Sequence, residues 1–270
     1  MRMFVGCAAA VALGGLFAIW PAPVGAQAPT TSPDLTGVYY PIQPPAGGAG
    51  RGGRASGPPD AGRQGAPPPP TRSAPVEDGS AGRAPGAPKL TPAYMAKWEA
   101  IRKSRISGSS EFDPRVRCIP AGMPSMMNMF YGMEIMHVKD KITMYGEMND
   151  MYRRIFLDGR KPSQKVLNDP TYAGYSTGHW EGDTLVVDTV ALRDDSLIED
   201  FVAFSSHSDK MTVRERIRLI EPGVLEDRIT VTDPEALLEP YQMVRTFRKA
   251  SLPNDELREF ACAEGLARVK

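Results

Sequence analysis

The amino-acid sequence predicts a mostly β protein whose main domain is an antiparallel up-and-down, lipocalin-like β-barrel, with a strongly curved sheet or a two-sheet sandwich as alternatives. From residue 133 onward, apolar and polar residues alternate with a period of two, which is the pattern of half-buried strands. Tight turns separate these runs at 139–141, 181–183 and 221–223. Many short strands joined by such turns curl until the sheet closes, because closure removes the exposed edges.

The strand pattern occurs in nine segments: 133–139, 141–147, 151–157, 175–180, 184–190, 210–220, 224–232, 241–249 and 256–261. Two connections between them are long, 158–174 and 191–209. Loops of this length inside a compact domain more often border functional sites than serve as plain connectors. We therefore expect both loops to border the mouth of any pocket.

The first 26 residues predict a signal peptide. Arg2 supplies the positive charge, an apolar stretch runs from Phe4 to Trp20, and small residues precede a cleavage site after Ala26. A membrane anchor is the competing interpretation, but the apolar stretch is shorter than the roughly 20 residues of a spanning helix. The sequence thus predicts a periplasmic or secreted protein with no stable membrane span after signal cleavage.

Four segments follow the signal peptide. Residues 27–40 are a short β-prone segment, and 41–90 predict a disordered linker because 23 of these 50 residues are Pro or Gly. Residues 91–106 fit one helix, since Thr91-Pro92 is a typical helix start. One face of that helix carries Tyr94, Trp98 and Ile101. Residues 107–270 then form the barrel domain.

Charged residues balance at 32 basic and 32 acidic, but they are unevenly distributed. Residues 41–117 carry 12 Lys or Arg against 6 Asp or Glu, and residues 118–270 carry 19 against 25. The basic residues of the arm are scattered among Gly and Pro rather than clustered with aromatic residues, so nucleic-acid binding is not supported. A solvated tether is the simplest interpretation of the arm.

Cysteine usage predicts one disulfide. Cys7 leaves with the signal peptide, so the mature chain keeps Cys118 and Cys262 in a compartment that permits disulfides. The even count favours a bridge between them, and two buried free thiols are the alternative.

Two carboxylates lie on strand faces that are otherwise apolar, Glu215 on one predicted strand and Asp227 on the next. A buried carboxylate needs a cationic or hydrogen-bonding partner. Arg154, whose face also carries Tyr152, and Arg245 are the candidate partners. These residues predict either structural ion pairs or a ligand site in which they orient the polar end of an apolar molecule.

His207 lies at the junction between the 191–209 connection and the next predicted strand, eight residues before Glu215. Histidine near neutral pH can move a proton and a carboxylate can fix its tautomer, so the two residues are a candidate catalytic acid–base pair. Arg154 would then stabilise an anion. A surface histidine without a catalytic part is the alternative.

Aromatic residues are candidates for lining a ligand pocket. Trp180 and Tyr175 lie on opposite faces of one predicted strand, and Trp180 shares its face with the small Ser176 and Gly178. A small-residue neighbourhood leaves room for a ligand or for another ring. Ordinary core packing of the tryptophan is the alternative.

Methionine is concentrated in one part of the chain, where nine of the 14 fall: Met123, Met126, Met127, Met129, Met133, Met136, Met144, Met148 and Met151. Methionine fills irregular cores and lines adaptable apolar pockets. Thioether sulfurs also suit Cu(I), and Met123, Met126, Met127 and Met129 would be its donors. Because the sulfurs lie on both faces of the predicted strands, packing or pocket lining is the favoured interpretation.

No sequence motif indicates a nucleophile, a zinc ion or a nucleotide. There is no Gly-x-Ser-x-Gly, the three histidines are far apart, and no glycine-rich loop joins a strand to a helix. The sequence therefore predicts no metal site and no cofactor.

Three stretches, YRRIFLDGR at 152–160, DPTY at 169–172 and WEGDTLVVDT at 180–189, together resemble the signature of a family of secreted bacterial proteins. The resemblance runs from about Cys118 to Cys262. It implies secretion, the limits of the folded domain and the cysteine pair. It does not indicate a particular activity. Tyr175 departs from the pattern, which has a histidine at this place.

The sequence therefore predicts a periplasmic or secreted β-barrel that binds a small, largely apolar or amphipathic molecule in its interior. One alternative is a cofactor-free lyase, isomerase or hydrolase that uses His207 and Glu215. Another is a structural or partner-binding envelope protein whose outward arginines meet an acidic surface. These arginines are Arg214, Arg216 and Arg218.

Overall fold

The structure is a computed structural model that describes residues 32–42, 86–108, 118–128, 131–199, 205–251 and 256–258. Within these ranges the strands are β1 (Gly37–Pro41), β2 (Met133–Val138), β3 (Lys141–Gly146), β4 (Met151–Phe156), β5 (Tyr175–Glu181), β6 (Thr184–Val190), β7 (Leu197–Glu199), β8 (Ser205–Ser206), β9 (Thr212–Glu221), β10 (Val224–Thr232) and β11 (Tyr241–Lys249). The α-helices are α1 (Pro92–Ile106) and α2 (Gln164–Leu167), and 3₁₀ turns cover Ser125–Asn128 and Met148–Asp150. The predicted signal peptide and most of the predicted linker lie outside the described residues.

The strands β1-β11-β10-β9-β6-β5-β4-β3-β2, in that order, form a closed barrel. Strand β1 closes it by pairing antiparallel with both β2 and β11. The mostly β, up-and-down barrel predicted from the sequence is confirmed. One pair departs from the antiparallel pattern: β4 and β5 run parallel, because the connection 157–174 carries the chain back along the barrel before β5 begins.

The strand that completes the barrel is not the one that the sequence predicts. We expected 256–261 to be the last strand, but 256–258 form no strand, and 259–261 lie outside the described residues. The place between β2 and β11 is taken by β1, which comes from the predicted β-prone segment 27–40 and buries Tyr39 in the core. Sequence periodicity could not show this pairing, because the partner strands are more than 90 residues away from β1 in the chain.

Helix α1 begins at Pro92 and buries Tyr94, Trp98 and Ile101 along one face, as their spacing predicts. No helix in the described part of the chain is long and apolar enough to cross a membrane. The helix contacts β8, which pairs with β7 in a separate two-stranded ribbon within the long 191–209 connection.

Inward-facing side chains fill the middle of the barrel. On β9 the buried residues alternate with exposed ones and include Glu215 between Val213 and Ile217. Apolar residues of the other strands, such as Ile155 and Leu185, pack around them in one core. Space for a ligand must therefore be sought at the ends of the barrel rather than at its centre.

Candidate functional site

The centre of the barrel holds a buried ion pair between Arg153 of β4 and Glu215 of β9. One guanidinium nitrogen, Nη1, donates to Glu215 Oε1 at 2.7 Å, and Nη2 donates to Glu215 Oε2. Of the remaining donors, Nε lies 3.2 Å from Ser176 Oγ, Nη2 lies 2.9 Å from Thr189 Oγ1, and Nη1 lies 3.9 Å from Met144 Sδ. A bidentate pair with its other donors satisfied is the arrangement that offsets the cost of burying two charges.

Asp227 is a second carboxyl group in the barrel centre, and its side chain is fully buried. Among the described residues its two carboxyl oxygens have no hydrogen-bond partner. Burial raises the pKa of Asp227 well above its ordinary value, the charge of Glu215 adds to this, and Arg153 and Arg245 oppose it. Arg245 is half-buried and lies opposite Asp227 in the pairing of β10 with β11. The environment of Asp227 therefore favours its protonated form.

The predicted inward placement of Arg154 and Tyr152 is wrong. Both side chains are exposed, because the inward positions of β4 are Met151, Arg153 and Ile155. The Tyr152 ring packs outside the barrel against Tyr145, with ring centroids 5.3 Å apart. Because of this aromatic pair, the outward face of β4 looks apolar in the sequence. The sequence pattern therefore assigned the inward face to Arg154 instead of its neighbour Arg153.

The two aromatic candidates of β5 do not meet in one site. Tyr175 faces outward and packs against Phe156, with ring centroids 5.2 Å apart. Trp180 lies on the other face, half-buried at the end of the strand, and stacks on His137 with ring centroids 5.9 Å apart. Their opposite orientation agrees with the strand alternation.

His207 is only 1% exposed, so it is not a surface histidine. Its Nε2 lies 2.9 Å from Ser196 Oγ, and its Nδ1 lies 2.9 Å from the carbonyl oxygen of Ser208. Burial lowers the pKa of His207, while the Ser208 carbonyl and the nearby Asp233 partly oppose this shift. Glu215 is bound to Arg153 instead, so the structure does not bring the predicted His207–Glu215 acid–base pair together.

Asp233 fixes the backbone next to His207. Its Oδ2 accepts from the Ser208 N–H at 2.6 Å, and its Oδ1 accepts from Ser208 Oγ at 2.8 Å. Oδ1 also accepts from the N–H groups of Glu235 and Ala236, both at 3.0 Å. The carbonyl that receives His207 Nδ1 is therefore held in place by a buried carboxylate.

The outer arginines of β9 are paired with acidic side chains on the barrel surface. Arg214 binds Asp188 at 2.7 Å and Arg216 binds Glu181 at 2.8 Å. Arg218 binds Glu226 at 3.1 Å. These pairs neutralise the arginine stripe, which weakens the interpretation of this face as a docking surface for an acidic partner.

One small pocket lies at the end of the barrel formed by β2, β3 and the start of β4. It is lined by Ala121, Met126, Tyr131, Gly132, Met133, Gly146, Glu147, Met148, Met151 and Phe247, and we call it the methionine pocket. Its volume is about 10 Å³, roughly what one water molecule needs. The pocket brings four of the clustered methionines together: Met126, Met133, Met148 and Met151.

Sequence reasoning missed Arg153, Ser196 and the hydroxyls that support Arg153. Arg153 did carry a signal, because Met151 and Ile155 flank it on one face just as Val213 and Ile217 flank Glu215. Ser196 carried none, since its partner His207 comes from another part of a long connection. The predicted bridge from Cys118 to Cys262 stays a prediction because Cys262 lies outside the described residues.

Comparison with known proteins identifies no family. No family model matches the chain and no curated protein matches it. Among solved structures, the chain is similar to wild-type fluorescent protein UnaG, with 17% identity and a TM-score of 0.28 over 52% of this chain and 88% of that chain. A mutant of the same protein matches over the same shares with 16% identity and a TM-score of 0.28.

Proposed function

We propose that this protein is a periplasmic or secreted barrel that binds a small, largely apolar molecule in the methionine pocket. The observation that carries the proposal is the convergence of four methionine side chains and Phe247 on one cavity at the barrel end. The proposed location rests on the predicted signal peptide. The proposed site replaces the barrel centre, where the ion pair leaves a ligand no free donor on Arg153.

The size of the pocket sets a condition on binding. Pockets for drug-sized ligands measure about 300–1,000 Å³, and the cavity here is about 10 Å³. An apolar molecule therefore enters only when the methionine side chains move aside. Methionine is unbranched and has three rotatable bonds, so this movement costs less than it would for leucine or phenylalanine.

The test is a titration of the purified chain with N-phenyl-1-naphthylamine, an apolar dye that fluoresces when it leaves water. We expect saturable binding of one dye per chain. A Cβ at Gly146 would lie 3.2 Å from Met126 Cε, so a larger side chain there enters the pocket, and Gly146→Leu should abolish binding. Met136→Leu, on the exposed face of β2, is the matched control and should bind as the natural chain does.

A dye signal that Gly146→Leu leaves unchanged, in a chain that still folds, would place the binding elsewhere and overturn the proposal. The same holds if the natural chain binds no dye.

A second candidate is a Cu(I)-binding protein, which the four thioethers around a cavity the size of one water favour. The double variant Met133→Leu/Met151→Leu separates the two functions, because leucine keeps the pocket apolar and removes two sulfurs. Loss of stoichiometric Cu(I) binding, while the variant still binds the dye with an affinity reduced only several-fold, would identify the copper function. Absence of Cu(I) binding by the natural chain at micromolar metal would exclude it.

A further inference from the structure

Ser196 and His207 form a buried hydrogen-bonded pair in the 191–209 connection. Ser196 lies directly before β7 and His207 directly after β8, so the pairing of these two short strands brings the two residues together. Ser196 is 3% exposed and His207 is 1% exposed. The pair is thus shielded from bulk water, although Arg193 and Asp194, which lie shortly before Ser196 in the chain, are exposed.

The hydrogen-bond partners fix the direction of each bond. The Ser208 carbonyl can only accept, so Nδ1 of His207 carries a proton and donates to it. In a neutral imidazole Nε2 then carries a lone pair, and it accepts the hydroxyl proton of Ser196 over 2.9 Å. The other possible acceptor of Ser196, the Arg193 carbonyl, is farther away at 3.3 Å.

This chain of groups has the parts of an activated serine nucleophile: a hydroxyl, a base within hydrogen-bond reach, and a third group that orients the base. The third group is the Ser208 carbonyl, and Asp233 holds it through the Ser208 N–H and Oγ. In serine hydrolases a carboxylate usually binds the imidazole directly. Here the carboxylate acts one residue away, through the backbone that it fixes.

We propose that Ser196 is a nucleophile, with His207 as its general base, and that it acts on small carboxylic esters. The Ser196 Oγ forms a bond to the carbonyl carbon of the ester while its proton passes to His207 Nε2. The tetrahedral adduct then breaks its bond to the alcohol, which takes the proton from Nε2 as it leaves. Water repeats the sequence on the acyl-serine, releases the carboxylic acid and restores the serine. This proposal does not depend on what the methionine pocket binds.

The test is reaction of the purified full chain with diisopropyl fluorophosphate, followed by mass spectrometry of the peptides. The Ser196 Oγ forms a bond to phosphorus, the phosphorus–fluorine bond breaks, fluoride leaves, and the serine proton passes through His207 to solvent. We expect one adduct, located on Ser196. Ser196→Ala should lose it, and Ser206→Ala, in the same two-stranded ribbon, should keep it.

The dependence of the Ser196 labelling rate on His207 shows whether Ser196 is an activated nucleophile or only takes part in a structural hydrogen bond. His207→Gln should slow labelling at least about 100-fold, the smallest effect typical of losing a general base. Because burial lowers the pKa of His207 from 6.5, labelling of the natural chain should be level above pH 6.5 and fall under more acidic conditions. Asp233 faces His207 from the end of β10, and Asp194 and Asp195 face it from its own connection, so these carboxylates set how far below pH 6.5 the fall begins.

Labelling of the natural chain tests the proposal even if the Ser196→Ala variant fails to fold. No adduct on Ser196 after prolonged exposure, or a labelling rate no higher than that of Ser206, would overturn the proposal.

Discussion

The centre of the barrel and its methionine-lined end lie two residues apart on the same face of β4, yet they differ in what they can accept. Arg153 in the centre is bound by Glu215, Ser176 and Thr189, so a ligand there must first break these bonds. Met151 at the end borders a cavity. Inward charge by itself is thus poor evidence for a binding site, whereas unfilled volume beside flexible side chains is better evidence.

The largest expected effect tests the closed centre. Glu215→Leu leaves Arg153 buried and unpaired, which typically costs about 3–5 kcal/mol of unfolding free energy. The double variant Arg153→Met/Glu215→Leu removes both charges and should recover most of that loss. Urea unfolding of the three chains, followed by circular dichroism, measures the difference.

Arg154→Met is the matched control for this prediction because Arg154 lies next to Arg153 and faces solvent. It should change the free energy of unfolding by less than about 0.5 kcal/mol. If Arg154→Met destabilised the chain more than Arg153→Met, the inward face of β4 would be assigned the wrong way round.

Replacing Asp227 should have an intermediate effect on the free energy of unfolding, and the effect should be stabilising rather than destabilising. Its pKa is raised in the folded state, so the folded chain holds this proton more tightly than the unfolded chain. Stability from this group is greatest below its unfolded pKa of about 3.9 and falls as the pH rises toward the raised folded value. Asp227→Asn removes this loss and should stabilise the chain at neutral pH, because a neutral amide is buried without having to take up a proton.

The gain from Asp227→Asn should shrink as the pH is lowered toward 4, where the Asp227 side chain of the unfolded natural chain begins to be protonated as well. Thermal unfolding from pH 4 to pH 8 measures this trend. Asp209→Asn is the surface control, since the Asp209 side chain is 58% exposed beside Lys210. Destabilisation by Asp227→Asn at neutral pH would mean that the carboxylate is ionised and paired.

The strand alternation in the sequence predicted the barrel and the inward positions of Glu215 and Asp227. The inward face of β4 was predicted wrongly, because Arg153 and Arg154 are adjacent and the alternation fits either of them as the inward residue. Tyr152 and Phe156, which form aromatic pairs on the outside, favoured the wrong choice. The closing strand β1 was not predicted as the neighbour of β2 and β11, since pairing across a long linker leaves no local pattern. The pocket and the Ser196–His207 pair depend on side-chain packing between distant segments, which periodicity does not encode.

The smallest expected effect tests the adaptable end. Met151→Leu exchanges two side chains of similar volume, and such exchanges usually cost less than about 1.5 kcal/mol. Leucine has fewer rotatable bonds than methionine, so the pocket should open less readily and the affinity for N-phenyl-1-naphthylamine should fall several-fold. Urea unfolding and dye titration of the same preparation measure both quantities. Because Met151 and Arg153 share one strand face, a stability loss as large as that of Arg153→Met would show that the end is packed as tightly as the centre, and the contrast between the two regions would disappear.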